Sequence, residues 1–324
     1  MRMVSTRDIY GDTLVELGML RDDLVVLDAD VSKATRSAVF AKRFPGRFFN
    51  AGVAEQNLVG VAAGLALSGL LPYASTFAVF MAGRAFEQIR NTVAYARVNV
   101  KLVGTHGGIT VGADGASHQS VEDLALMRSL PGMVVLVPSD ANQARQAVFK
   151  AAAWSGPVYI RLGRAPTPLI YPCDCSFEIG RANVLREGRD VSLMASGCML
   201  HTALEAADAL SREGIGAEVI DVPTLKPLDS STIAMSARKT RAVVTVEEHS
   251  VIGGLGAAVS EFLISSNPVP LVRVGLPDAF GQSGEPEELM DFYGLSTKHV
   301  VMAAKKALNL RDRRTSSAFH DCLC

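Results

Sequence analysis

The chain has 324 residues, 48% of them hydrophobic and 20% charged, which supports packed cores and excludes an extended disordered chain. A net charge of −1 leaves no basic excess of the kind that nucleic-acid binding demands. No apolar run reaches the roughly 18 residues needed to span a bilayer, and Met1 to Asp8 carries no apolar signal core. The length suits about two domains. Five cysteines, Cys173, Cys175, Cys198, Cys322 and Cys324, form no disulfide framework and read as reduced thiols of a cytoplasmic protein.

Short β-rich runs alternate with helical patterns, which predicts two α/β domains with parallel or mostly parallel sheets. Strands are expected at Leu24 to Leu27, Pro72 to Thr76, Val98 to Val103, Met133 to Val137 and Pro157 to Ile160. Val134 to Val137 shows no polar alternation, so both faces of the first sheet are expected to be covered. Helices are expected over 55–69, 80–96 and 139–153, the last capped by Ser139 and Asp140. These elements place the first domain at 1–165. Residues 166–189, where Pro166, Pro168 and Pro172 disfavour a long helix, read as a linker. The second domain, 190–310, is predicted to have strands at 191–195, 217–220, 242–246 and 271–274. Its helices are expected near 199–213, 254–265 and 297–308. The polar segment 311–324 lacks periodicity and is expected to be a mobile tail.

One carboxylate stands out. Glu55 follows a probable strand and opens a helix, where the helix dipole alone favours an acid. Val59 to Gly69 is too small and apolar to face water along its length, so Glu55 is expected at a buried junction. Phe77 and Phe80 come with the next strand and, taken alone, suit core aromatics at helix spacing. The loop His106 to Gln119 contains Gly107, Gly108, Gly112 and Gly115, which permit irregular backbone. A polar loop after a buried strand is where open α/β sheets place ligands. His106, Asp114 and His118 are its candidate ligand contacts, and histidine suits proton handling near neutrality. Arg161 and Arg164 follow a later strand, with guanidinium geometry suited to anions. Cys173-x-Cys175 is spaced more tightly than a usual metal pair, and no metal site is expected.

Taken in order, Arg47 to Asn57, Thr76 to Phe80 and Thr105 to Gly108 resemble the pyrimidine-binding half of transketolase. Thr245 to Gly256 is similar to the carboxy-terminal domain of that superfamily, and the resemblance covers about residues 5–308. It implies a thiamine diphosphate enzyme in which Glu55 hydrogen-bonds and activates the aminopyrimidine, and Phe77 and Phe80 clamp it. It further implies that His106 and His118 line the substrate channel and handle hydroxyl protons. Asp114 would read a donor hydroxyl, and Arg164 would grip a sugar phosphate. Two positions depart from the pattern. Gly83 stands where conventional transketolases often carry a third aromatic, and Ala113 where an acid is frequent.

Thiamine enzymes hold the diphosphate through a metal bound by a Gly-Asp-Gly segment; the only Gly-Asp here, Gly11-Asp12-Thr13, does not match. The resemblance therefore implies the carboxy-terminal subunit of a split transketolase, moving a two-carbon ketol unit from a ketose to an aldose. An amino-terminal partner would carry the diphosphate and Mg²⁺ (or Ca²⁺), in an α₂β₂ heterotetramer. Alternatives are half of a deoxyxylulose-5-phosphate synthase, the beta subunit of a 2-oxo acid dehydrogenase decarboxylating component, or a non-catalytic scaffold. His106 and Gln119 argue against the first and Asp114 against the second. Retention of Glu55, Asp114 and both histidines argues against the third.

Overall fold

The computed structural model describes residues 2–320. In chain order its strands are β1 (Met3–Val4), β2 (Leu24–Asp28), β3 (Phe48–Asn50), β4 (Leu71–Phe77), β5 (Lys101–Thr105), β6 (Val134–Leu136) and β7 (Val158–Arg161). They continue with β8 (Thr167–Pro168), β9 (Asn183–Arg186), β10 (Val191–Ala195), β11 (Ala217–Asp221), β12 (Thr224–Lys226), β13 (Val243–Ser250) and β14 (Leu271–Leu276). One sheet has the order β12-β6-β7-β5-β4-β2-β3 and the other β14-β13-β10-β11-β9. Both are parallel apart from one antiparallel edge strand each, β12 and β9. Every residue of β2, β4, β5 and β7 is buried, as strands covered by helices on both faces require.

The halves interlock. β12 comes from the second half of the chain yet closes the edge of the first sheet, antiparallel to β6. Segment 166–189, expected only to connect, supplies β8, which pairs with β1, and β9, the edge of the second sheet. An apolar cluster runs from Leu27 and Leu102 through to Met194, Ile220 and Val259, so the two sheets share core. The pattern over 80–96 gives a broken helix: Ala78–Arg84, Phe86–Gln88 and a π-helical Ile89–Tyr95 that holds Ile89 and Val93 in the core. The final helix, Thr297–His320, runs on into the segment expected to be a tail; Cys322 and Cys324 lie outside the described residues.

Asp140 caps the helix Ala141–Ala153 as its position predicts, accepting from the Gln143 amide at 2.8 Å. Its other oxygen accepts from the amides of Ile170 and Tyr171 at 2.7 and 2.8 Å, which pins the chain between the domains. Beside it, Asp221 at the end of β11 accepts from Ser139, Gln143 and Tyr171, each at 2.6 Å. Burial pushes the Asp221 carboxyl up to about 6. These two acids tie one helix, the connection and the second sheet into a single junction. Asp140→Ala strands the buried Gln143 amide and the half-buried amides of Ile170 and Tyr171 and is expected to cost about 2–4 kcal/mol, read as a lowered urea midpoint with unchanged slope. A midpoint like that of the unsubstituted chain contradicts this junction.

Candidate active site

Because the first sheet is parallel, β3, β4, β5 and β7 all end at the same edge. In the spatial order β7-β5-β4-β2-β3, the connections leaving that edge carry Arg164, then His106, then Phe77 and Phe80, then Glu55. Residues far apart in sequence are thus set side by side at the carboxyl ends of strands, where ligands bind in open sheets.

Glu55 begins the helix Glu55–Leu67 and is only 4% exposed. Leu58, Val59, Ala62 and Ala63 turn inward, while Gly60, Val61, Gly64 and Leu67 form an uncovered face of small and apolar groups. The Arg84 guanidinium donates to Glu55 Oε1 at 3.0 Å and lies 4.0 Å over the Phe80 ring. Phe80 stacks on Phe77 with centroids 5.7 Å apart, and Phe77 stacks on His106 at 3.8 Å. His118 meets Phe80 edge-on at 5.4 Å. The sequence-predicted residues Glu55, Phe77, Phe80, His106 and His118 therefore lie on one unbroken line of contacts, with Arg84 as the link.

His106 holds a left-handed backbone (φ 58°), uncommon outside glycine. Arg7 donates to its Nε2 at 2.9 Å, and a guanidinium has no acceptor. The ring proton is thereby assigned to Nδ1, which donates to Thr105 Oγ1 at 2.8 Å. Burial pushes the imidazole down to about 3, and the positive Arg7 and Arg164 add to that effect. His106 is thus a neutral ring with a fixed tautomer: a hydrogen-bond acceptor at Nε2 once Arg7 withdraws.

Asp114 and Arg164, expected to read a hydroxyl and a phosphate, pair with each other at 3.1 Å. Arg164 also donates to the Val111 carbonyl at 2.5 Å, so it buttresses the loop it faces. Both side chains are more than a third exposed, and a pair so open to solvent exchanges partners at little cost. Arg161, by contrast, is buried against Asp123 at 3.3 Å and serves the core. Arg7 and Arg84 were not singled out from sequence: each sits among helix residues with nothing local to mark it. Arg7 lies in the first turn of Thr6–Leu20, where an isolated cation is unfavourable against the helix dipole.

A cavity of about 930 Å³ opens elsewhere, between the domains. Gly107, Thr110, Arg161, Cys198 and Glu248 line it, and none of Glu55, Phe77, Phe80, His106, Asp114, His118 or Arg164 does. Among the described residues, no group of three or more His, Cys, Asp or Glu is placed to hold a metal. Nor is any helix long and apolar enough to cross a membrane.

A parallel sheet thus carries a buried acid and stacked aromatics at its carboxyl edge and is followed by a second α/β domain. Residues 2–168 match the family described as "Transketolase, pyrimidine binding domain", and residues 180–300 match "Transketolase, C-terminal domain". The chain belongs to the transketolase family. It is 50% identical to the "Putative transketolase C-terminal section" of Methanocaldococcus jannaschii, over 90% of this chain and 92% of that protein. It is 46% identical to the "6-deoxy-6-sulfo-D-fructose transketolase subunit SqwH" of Clostridium sp. (strain MSTE9), over 95% and 96%. A solved structure titled "Split gene transketolase, inactive beta4 tetramer" superposes with a TM-score of 0.90 at 56% identity, covering 95% of this chain and 99% of that one.

The depressed His106 gives a pH signature. Below about 6.5 the unfolded chain binds a proton that the native ring accepts only near 3, so stability falls as pH drops through that window. His106→Asn tolerates the left-handed backbone and removes that loss. The stability difference between wild type and variant should therefore change with pH between 6.5 and 3, by at most about 1.4 kcal/mol per pH unit. Urea unfolding at stepped pH measures it, and parallel curves overturn the assignment. Buried His249, pushed down to about 4, contributes equally to both proteins.

Proposed function

We propose that this chain is the carboxy-terminal subunit of a split, thiamine diphosphate-dependent transketolase, moving a two-carbon ketol unit from a ketose to an aldose. The observation that carries the reading is Glu55, a buried acid opening the helix Glu55–Leu67, with Phe80 and Phe77 stacked alongside. A buried acceptor next to flat aromatic faces fits an aminopyrimidine, so the residues present suit that end of the coenzyme. Thiamine diphosphate, when bound, supplies a thiazolium that accepts the electron pair of the cleaved carbon–carbon bond.

The residues of this chain then divide the work. Glu55 holds the aminopyrimidine once Arg84 gives way, and Phe77 and Phe80 wall it. His106 and His118 lie against the same rings and offer imidazole nitrogens to substrate hydroxyls. Asp114 reads a donor hydroxyl, and its partner Arg164 is released to a terminal anion on the sugar. Arg7, whose guanidinium already reaches His106, adds a second cation there. Two guanidiniums suit a sugar phosphate, and equally a sulfonate of the kind named for the clostridial relative. The diphosphate and its Mg²⁺ (or Ca²⁺) belong to an amino-terminal partner in an α₂β₂ assembly. The bare face Gly60, Val61, Gly64 and Leu67 beside Glu55 supports such a partner, because small residues let another surface approach closely. Free Cys173, Cys175 and Cys198 fit a reducing, cytoplasmic setting.

Mixing the chain with its amino-terminal partner and assaying a panel of ketose donors tests the reading. The pair is expected to transfer ketol units and the chain alone to be inert. Glu55→Ala should lower kcat of the pair by at least about 100-fold with circular dichroism unchanged. Full activity of the variant pair, or sustained turnover by the lone chain, rules the proposal out.

A further inference from the structure

The loop that bears His106, Asp114 and His118 is held from behind by the second domain. β13 lies between β14 and β10, and its ladder with β14 becomes irregular between Val246 and Ser250. Within that stretch Glu248 projects across the domain boundary and is 7% exposed. One oxygen of Glu248 accepts from the Thr110 amide at 2.7 Å; the other accepts from the Cys198 thiol at 3.0 Å. Burial and the neighbouring acid both push the Cys198 thiol well up, so its hydrogen stays on sulfur and is donated. Arg161 supplies positive potential to the same acid.

Fit at this contact is close. Gly108 has φ +84°, and a Cβ placed there would lie 2.2 Å from the Glu248 carboxyl carbon. The carboxyl therefore rests directly on the loop backbone, and only glycine permits both the conformation and the approach. Thr110 is the second residue of the 3₁₀ segment Ile109–Asp114, which kinks at Gly112 and ends on Asp114. Gln119 adds a brace, donating to the Gln282 carbonyl at 2.9 Å, and Gly115 packs against Ser283. The loop is thus set at its start by Glu248 and near its end by segment 282–283, both from the second domain.

We propose that Glu248 is a positioning residue for ketol transfer. By fixing Thr110, it sets where Asp114 and His106 stand relative to the donor sugar. The second domain then has a part in the site. This inference rests on the substrate reading of the loop given above, but its structural half stands apart from that reading.

Hydrogen exchange on the isolated chain tests the structural half. Glu248→Ala leaves the Thr110 amide and the Cys198 thiol without an acceptor, and amides over 108–115 should exchange at least 10-fold faster, with the two sheets unchanged. Glu248→Gln keeps one acceptor oxygen for Thr110 and should restore most of the protection. If Glu248→Ala does not fold, Glu248→Leu, similar in size but without an acceptor, decides: faster exchange confined to 108–115 in that variant supports the brace. Unchanged exchange in that segment, or uniform loosening of both domains, overturns it. The second half is read in the pair assembled with the amino-terminal partner. Glu248→Ala should raise the donor KM at least 10-fold while thiamine diphosphate affinity, measured by calorimetry, stays within twofold. An equal loss of coenzyme affinity contradicts a positioning role. A wild-type pair without ketol transfer removes the functional reading and leaves the exchange result to judge the brace alone.

Discussion

Parallel pairing of β3, β2, β4, β5 and β7 is the constraint on which the site depends. A parallel ladder fixes the direction of every strand, so all their carboxyl ends share one edge, and each connection leaving that edge starts beside its neighbours. Side chains at positions 55, 77, 80, 106 and 164 come together for that reason alone. An edge strand running the other way, as β12 does, sends its connection to the opposite end and takes no part.

At this edge the chain partners its own polar groups. Glu55 is held by Arg84, Asp114 by Arg164, and His106 by Arg7. On the proposed reading, each pair joins a residue that would meet coenzyme or substrate to an arginine that binding would move or share. The pairs differ in how easily they part. Asp114 and Arg164 are both open to water, so their separation costs little. Glu55 is buried while Arg84 is half exposed, so withdrawing the arginine leaves an acid that needs another hydrogen-bond partner at once. On the proposed reading, an aminopyrimidine would be that partner and the surface of a second subunit would supply the enclosure.

Much of this was legible in the sequence, and the remainder failed for physical reasons. Continuous apolar runs such as Val134 to Leu136 marked buried parallel strands, and Asp140 marked its helix start, because both signals are local. Glu55 and the glycine-rich loop were visible through their place after strands. Arg7 and Arg84 were not, since an arginine on a helix takes its meaning from a partner elsewhere in the chain. β12 has three residues, too few for a period, and its place in the first sheet is decided by tertiary packing. The same holds for Glu248. Its motif lies in the second domain, but only the fold shows it reaching Thr110.

A crystal structure of the assembled pair with thiamine diphosphate bears most directly on the central claim. It should show the Glu55 carboxyl within hydrogen-bonding distance of the pyrimidine ring, Arg84 displaced, and the diphosphate held by the other polypeptide. Coenzyme bound away from Glu55, with the Glu55–Arg84 pair intact, contradicts the account.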